Sequence, residues 1–374
     1  MFEKTREYLD EFVRRGIPGM DICVMQNGKE IFREWRGVSD EAGTPMNGRE
    51  RYNIYSCSKV FTCTAAMMLV EEGRLSLDDE LATYLPEFAH MQVKTENGLR
   101  DAKTPITVRH LFTMTAGLSY NMESDEISRG IQETEGKGST REMMKYIAKM
   151  PLEFEPGEKW NYSLCHDVLA AVVEVVAGKR FGLFVKERIF DVCGMTDSTF
   201  LLPREELPTL SAQYLYEHGE FKNVGREIQR YKIGESYESG GAGAISTVGD
   251  YIRFLEGLRT YRLLKPETVA LMARDQLTKE QDASYWNTGD YSYGLGVRAP
   301  LAENSSRTDF GWGGAAGAYL SIDPVNNLSV YYAQHVLASP NGALRKDIIE
   351  AVKLDLGLDA ATEGMWNGRG NSLA

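Results

Sequence analysis

Strand-like segments lie at the two ends of this 374-residue chain and helical runs fill the stretch between, so any sheet must be assembled from opposite ends of the sequence. Near the start, MDICVMQ (20–26) and EIFREWR (30–36) flank Asn27-Gly28, a dipeptide that accepts the positive φ angles of a tight hairpin turn. Near the end, YGLGVRA (293–299), AYLSID (318–323) and LSVYYAQ (328–334) have strand character, the last two separated by the turn-forming Pro324-Val325-Asn326-Asn327. At the extremes, one helix gathers Phe2, Leu9, Phe12 and Val13, and another gathers Leu344, Ile348, Ile349 and Val352. Helical runs at 57–72, 107–114, 140–149 and 167–177 occupy the middle. The pattern predicts an α/β (α+β) fold: an antiparallel sheet from both chain ends, flanked by terminal helices, with a mainly helical lobe inserted. The boundaries fall at 1–55 and 232–374 for the discontinuous sheet domain and 56–231 for the helical one, with the active site expected in the cleft between them. Residues 121–138, polar and acidic without clear periodicity, read as a flap over that cleft or a solvated loop.

Charge and cysteine usage exclude several function classes. Forty-two basic against 54 acidic residues leave a net charge of -12, which opposes binding to nucleic acid or to an anionic membrane surface. Five cysteines without a C-x-x-C spacing suggest neither a disulfide framework nor a zinc site, so no metal or other cofactor is expected. The first fifteen residues are charged every few positions and lack the apolar core of a signal peptide, and the uncharged run 60–70 is too short to span a bilayer. A cytoplasmic protein with a small-molecule substrate is the expectation; the oligomeric state is not encoded in any feature of the chain.

The chemistry concentrates at Tyr55-Ser56-Cys57-Ser58-Lys59, which holds the chain's only S-x-x-K. Lys59 is followed by VFTCTAAMMLV, eleven residues without a charge, as in a helix buried all round. At the first turn of such a helix, desolvation and the N-terminal dipole both disfavour the charged amine, and a neutral amine accepts a proton. The i, i+3 spacing brings that amine to the face of the Ser56 hydroxyl, as a general base requires. These residues alone allow a second reading, in which Ser56 caps the helix and Lys59 snorkels to water.

YSCSKVFTC resembles the first motif of class C β-lactamases and their penicillin-binding-protein-like relatives, which include carboxylesterases, D-amino-acid peptidases and acyltransferases. Further segments are similar to that superfamily in the same order: ITVRHLFTMTAGL (106–118), PLEFEPGEKWNYS (151–163), DVCGMTDSTF (191–200), SGGAGAISTVGDYIRFL (239–255) and DFGWGGAAGAYLSIDP (309–324). The resemblance implies the β-lactamase-like fold and a serine hydrolase that forms an acyl-enzyme on Ser56, with Lys59 as its activating partner. It implies that Tyr162, in the position of the family's Tyr-x-Asn motif, is the second proton carrier, and leaves open which of Lys59 and Tyr162 is the main base. It also implies an oxyanion hole from the backbone N–H groups of Ser56 and Ala315, the latter just after Trp312-Gly313-Gly314.

Two positions depart from the lactamase pattern. Leu164 stands where the motif asparagine would bond a substrate amide, and Trp312-Gly313 replaces the cation and hydroxyl that face a drug's carboxylate. Both resemble the family VIII carboxylesterases, and an apolar wall accepts neutral acyl chains. A carboxylesterase for short or medium acyl esters is expected, with Leu164, Trp312, Gly313 and Gly314 at the substrate. The alternatives are a β-lactamase, a D-amino-acid peptidase or amidase, an acyltransferase, and an acyl-binding protein without turnover. His166-Asp167, beside the tyrosine motif, invites a Ser-His-Asp reading, but adjacent helical residues point apart.

Overall fold

The computed structural model describes residues 1–226, 231–286, 289–301, 306–361, 365–366 and 372–373. Asn27 and Gly28 adopt φ of 52° and 75° and close a hairpin between β1 (Gly19–Gln26) and β2 (Lys29–Gly37). Five strands from the other end complete the sheet: β3 (Tyr291–Tyr293), β4 (Arg298–Pro300), β5 (Phe310–Gly313), β6 (Tyr319–Asp323) and β7 (Leu328–Gln334). Their order is β2-β1-β7-β6-β5-β4-β3, every pair antiparallel, so the first and last parts of the chain meet where Cys23 on β1 faces Tyr331 on β7.

Side chains alternate across this sheet with the period of two that a strand imposes. Met20, Ile22 and Val24 of β1 and Leu328, Val330 and Tyr332 of β7 share a core with Phe12 of α1 (Glu3–Arg14) and with the C-terminal helix at Asp347–Asp355. Cys23 and Tyr331 face the other way, into the main core, with the helix at Val248–Arg259 packed against β1 and β7. Both faces are therefore covered. The expected single strand 293–299 is instead the β3–β4 hairpin, Arg298 opposite Tyr293. The reason is Gly296, whose φ of 82° reverses the chain and whose backbone lies so close to Cys63 that a Cβ would come within 2.1 Å of Sγ.

The middle of the chain supplies α2 (Ser58–Glu71), α3 (Val108–Phe112), α4 (Asp125–Glu133), α5 (Thr140–Ile147) and α6 (Cys165–Ala177). The helix at Val248–Arg259 is α7 and the C-terminal one α8. Residues 58–69 of α2 are all buried, and the helix packs against α6. This part is not purely helical: hairpins occur at 92–101 and 214–223. Nor is 121–138 irregular, since Ser124 caps α4 by accepting from Ile127 N–H, with Asp125 and Glu126 in the first turn. Only Ile127 and Gly130 of α4 are buried, too few for a visible period, and Gly130 lets α4 approach α5. No helix among the described residues is long and apolar enough to cross a membrane, and all five cysteines are free and buried.

Candidate active site

Ser56 is presented by a strained turn. Tyr52–Asn53 pairs with Ile245–Ser246, and the next residues enter a single 3-10 turn, Tyr55–Cys57, that runs directly into α2. Tyr55 has φ of 47°, a left-handed conformation costly for a residue with a Cβ, of order 1 kcal/mol or more. Its hydroxyl donates to Gln213 Oε1 and its ring packs edge-on to Tyr231, contacts that hold the turn. Ser58 Oγ accepts from Ala244 N–H (2.9 Å) and Tyr251 donates to Cys57 O (2.8 Å), securing the turn from below.

Lys59 does not snorkel, and Ser56 does not cap. The lysine has no exposed surface, and α2 has no side-chain cap. Lys59 Nζ donates to Gly241 O at 2.7 Å, lies 3.5 Å from Ser56 Oγ and sits 4.5 Å from the centre of the Tyr162 ring. Tyr162 donates to Ser56 Oγ at 2.5 Å. Ser56, Lys59 and Tyr162, spread over a hundred positions, therefore converge on one oxygen. Tyr162 is held from both sides: Asn161 N–H bonds Met114 O, Leu164 N–H bonds Ser119 O, and Trp160 N–H bonds Ser284 Oγ.

Behind Lys59 lies a carboxylate whose placement the sequence does not reveal. Asp167 Oδ1 accepts from Tyr237 (2.9 Å) and Ser239 Oγ (2.6 Å), while Oδ2 faces Gly241, where a Cβ would come within 2.4 Å of it. Burial pushes the Asp167 pKa up, against the Ser239 hydrogen bond and the Lys59 charge. His166 turns the other way: Nε2 lies 3.3 Å from Phe112 O and 3.6 Å from Cys63 Sγ, and burial pushes its pKa down to about 3. The two adjacent residues point apart, and neither makes a hydrogen bond to Ser56.

Aromatic rings wall the site. Tyr120 stacks on Tyr162 at 5.4 Å, Trp286 approaches Tyr162 at 4.9 Å, and Trp312 lies 6.1 Å from Tyr162 and 6.2 Å from Trp286. Trp286 is 53% exposed and forms the rim. Leu164 and Trp312, 1% and 7% exposed, belong to the main core, so the accessible apolar surface at the site is carried chiefly by Trp286. Neither Tyr120 nor Trp286 stands out in the sequence, since a lone aromatic is usually core. Gly314 rests on the strand entering the Ser56 turn, and a Cβ there would come within 2.4 Å of Ile54 O. Gly313 is half-buried at the end of β5, beside Tyr319. Ala315 is exposed, and its N–H has no protein acceptor among the described residues.

The sequence model of the family described as Beta-lactamase matches residues 5–353. The Esterase EstB of Burkholderia gladioli is 30% identical over 347 residues, which cover 84% of this chain and 85% of that protein. The lovastatin esterase of Penicillium rubens is 30% identical over 349 residues, covering 81% and 84%. Among solved structures, EstCE1, described as a hydrolase with promiscuous acyltransferase activity, has the same fold: a TM-score of 0.78 at 24% identity, over 94% of this chain and 97% of that one.

Proposed function

The chain belongs to the Beta-lactamase family, as a serine hydrolase, and from that premise we propose that it cleaves neutral carboxylic esters through an acyl-enzyme on Ser56. The observation that carries this reading is the 2.5 Å contact from Tyr162 to Ser56 Oγ inside a wall of Trp286, Trp312 and Tyr120. Tyr162, nearer than Lys59, reacts as the phenolate, with the Lys59 ammonium as its counter-charge, and takes the Ser56 proton as Oγ attacks the ester carbonyl carbon. Lys59, buried beside Ser56 Oγ and the Tyr162 ring, favours the negative charge that passes between the two residues. The N–H groups of Ser56 and Ala315 receive the developing oxyanion, and Tyr162 returns the proton to the departing alcohol as the C–O bond breaks. Water then attacks the acyl-Ser56 ester by the reverse path, releasing the acid.

The ester preference rests on what surrounds these groups. Trp312 and Gly313 carry neither cation nor hydroxyl, so a β-lactam's carboxylate would lack the partners that those positions supply in a lactamase. Two relatives at 30% identity are named esterases, which supports the same choice. p-Nitrophenyl acetate and butyrate should turn over while a chromogenic cephalosporin is cleaved weakly or not at all. Ser56→Ala should remove both ester turnover and labelling by a fluorophosphonate probe. Efficient cephalosporin cleavage would overturn the ester preference, and persistent labelling of another serine would overturn the nucleophile.

A further inference from the structure

We propose that Arg345 is a positioning residue for the oxyanion hole, acting on the far side of the peptide bond that presents Ala315 N–H. The inference rests on the reading of that N–H as an oxyanion donor. Gly314 O accepts from Arg345 Nη1 at 2.7 Å and from Gly317 N–H at 3.0 Å. Gly314 O and Ala315 N–H belong to the same planar trans peptide, so they point in opposite directions. Fixing the carbonyl on the guanidinium therefore fixes where the N–H points, and the charge-assisted bond polarises the peptide so that its N–H is the stronger donor.

The surroundings make this a built arrangement. Gly314 to Gly317 form a tight turn between β5 and β6, pressed on one side against Ile54 O, two residues before Ser56. On the other side Gln334 fills the space at Gly317, where a Cβ would lie 2.2 Å from its Nε2. Gln334 Oε1 accepts from Asn341 Nδ2 (3.0 Å) and from Tyr332 (2.7 Å), and Asn341 O accepts from Arg345 N–H (3.0 Å). The turn that carries Ala315 is thus clamped between the nucleophile's strand and a segment whose last anchor is Arg345. Ala315 N–H, left without a protein acceptor among the described residues, is the group this clamp leaves aimed and unused.

A carboxylic ester and its matched thionoester separate this role from a merely structural one, because N–H donors bond a developing negative sulfur less well than oxygen. The wild-type protein should prefer the oxygen ester. Arg345→Met, which keeps the stem but no donor, should lower kcat with little change in KM and compress the ester-to-thionoester ratio by about tenfold, less than the hundredfold or more lost when an oxyanion donor is removed outright. Arg345→Lys, which keeps a donor, should fall between. Equal losses on both substrates, with Ser56 still labelled by a fluorophosphonate, would overturn the proposal while leaving the oxyanion hole standing. A wild-type protein with no preference for oxygen would overturn the Ala315 reading and the Arg345 role with it. Should Arg345→Met fail to fold, Arg345→Lys decides: a compressed ratio supports the role, and the wild-type ratio overturns it.

Discussion

The 2.5 Å contact between Tyr162 and Ser56 Oγ, against 3.5 Å for Lys59, is the ground on which the proposed mechanism gives the two residues different tasks. Lys59 Nζ already donates to Gly241 O and faces the tyrosine ring, so its place is beside the proton transfer rather than in its shortest path. Tyr162→Phe keeps the stacking on Tyr120, Trp286 and Trp312 and removes only the hydroxyl. Ester turnover and fluorophosphonate labelling should both slow by about 10²- to 10⁴-fold with the melting temperature nearly unchanged, and near-normal rates in stopped-flow acylation would remove the tyrosine from the reaction. At this scale the sequence is legible only where residue identity carries the chemistry. Ser56 and Lys59 stand in a recognisable spacing, and the charge-free run after Lys59 foretells its burial. Tyr55's left-handed backbone, Asp167's place behind Lys59 and Arg345's hold on Gly314 all depend on contacts between residues far apart in the chain, so no local pattern announces them.

Among the elements, α2 and α6 are legible because a long apolar helix needs no partner to be recognised, whereas α4 hides behind its polar residues and reveals itself only through the Ser124 cap. Helix α6 also carries two groups that titrate against the fold in opposite directions. Burial lowers His166 to about 3, so the unfolded chain takes up its proton first and this group's contribution to stability falls as pH drops below the ordinary histidine value of 6.5. Burial, and then the negative charge of Glu238, raise Glu174 to about 7 from 4.5; its Oε2 has no hydrogen-bond partner among the described residues. The folded chain then holds the Glu174 proton longer than the unfolded one, so stability is lost as pH rises from 4.5 through 7. Glu174→Gln should remove that loss. Its partial exposure limits the gain to on the order of 1 kcal/mol at pH 8, with little change at pH 5. Thermal melts at the two pH values check the sign, and an equal gain at both would show that the ionisation is not responsible.

For the molecule as a whole, the two-ended sheet follows from strand and helix patterning, and what binds its last strands to the C-terminal helix is a charge cluster that patterning cannot show. Asp309, at the start of β5, is fully buried and accepts from Arg298 Nη2 (2.6 Å), Lys353 Nζ (2.8 Å), Tyr291 (2.7 Å) and Ser321 Oγ (2.9 Å). Burial alone would raise its pKa, but Arg298 and Lys353 hold the carboxyl well below the usual range. The cluster joins β3, β4, β5, β6 and α8, and Trp312 lies three residues beyond Asp309, on β5. Asp309→Asn would leave two buried cations facing each other without a counter-charge, a change expected to cost about 3–5 kcal/mol. Because the folded pKa is depressed, the stabilisation is complete above the unfolded value of 3.8 and disappears as pH falls through the lower folded value. Urea unfolding at neutral pH should show a lower midpoint for Asp309→Asn, and the gap to wild type should narrow toward acid. An unchanged midpoint would mean that α8 is held by its apolar contacts alone, and the cluster would then have no share in keeping β5, and the Trp312 wall it carries, against the Ser56 turn.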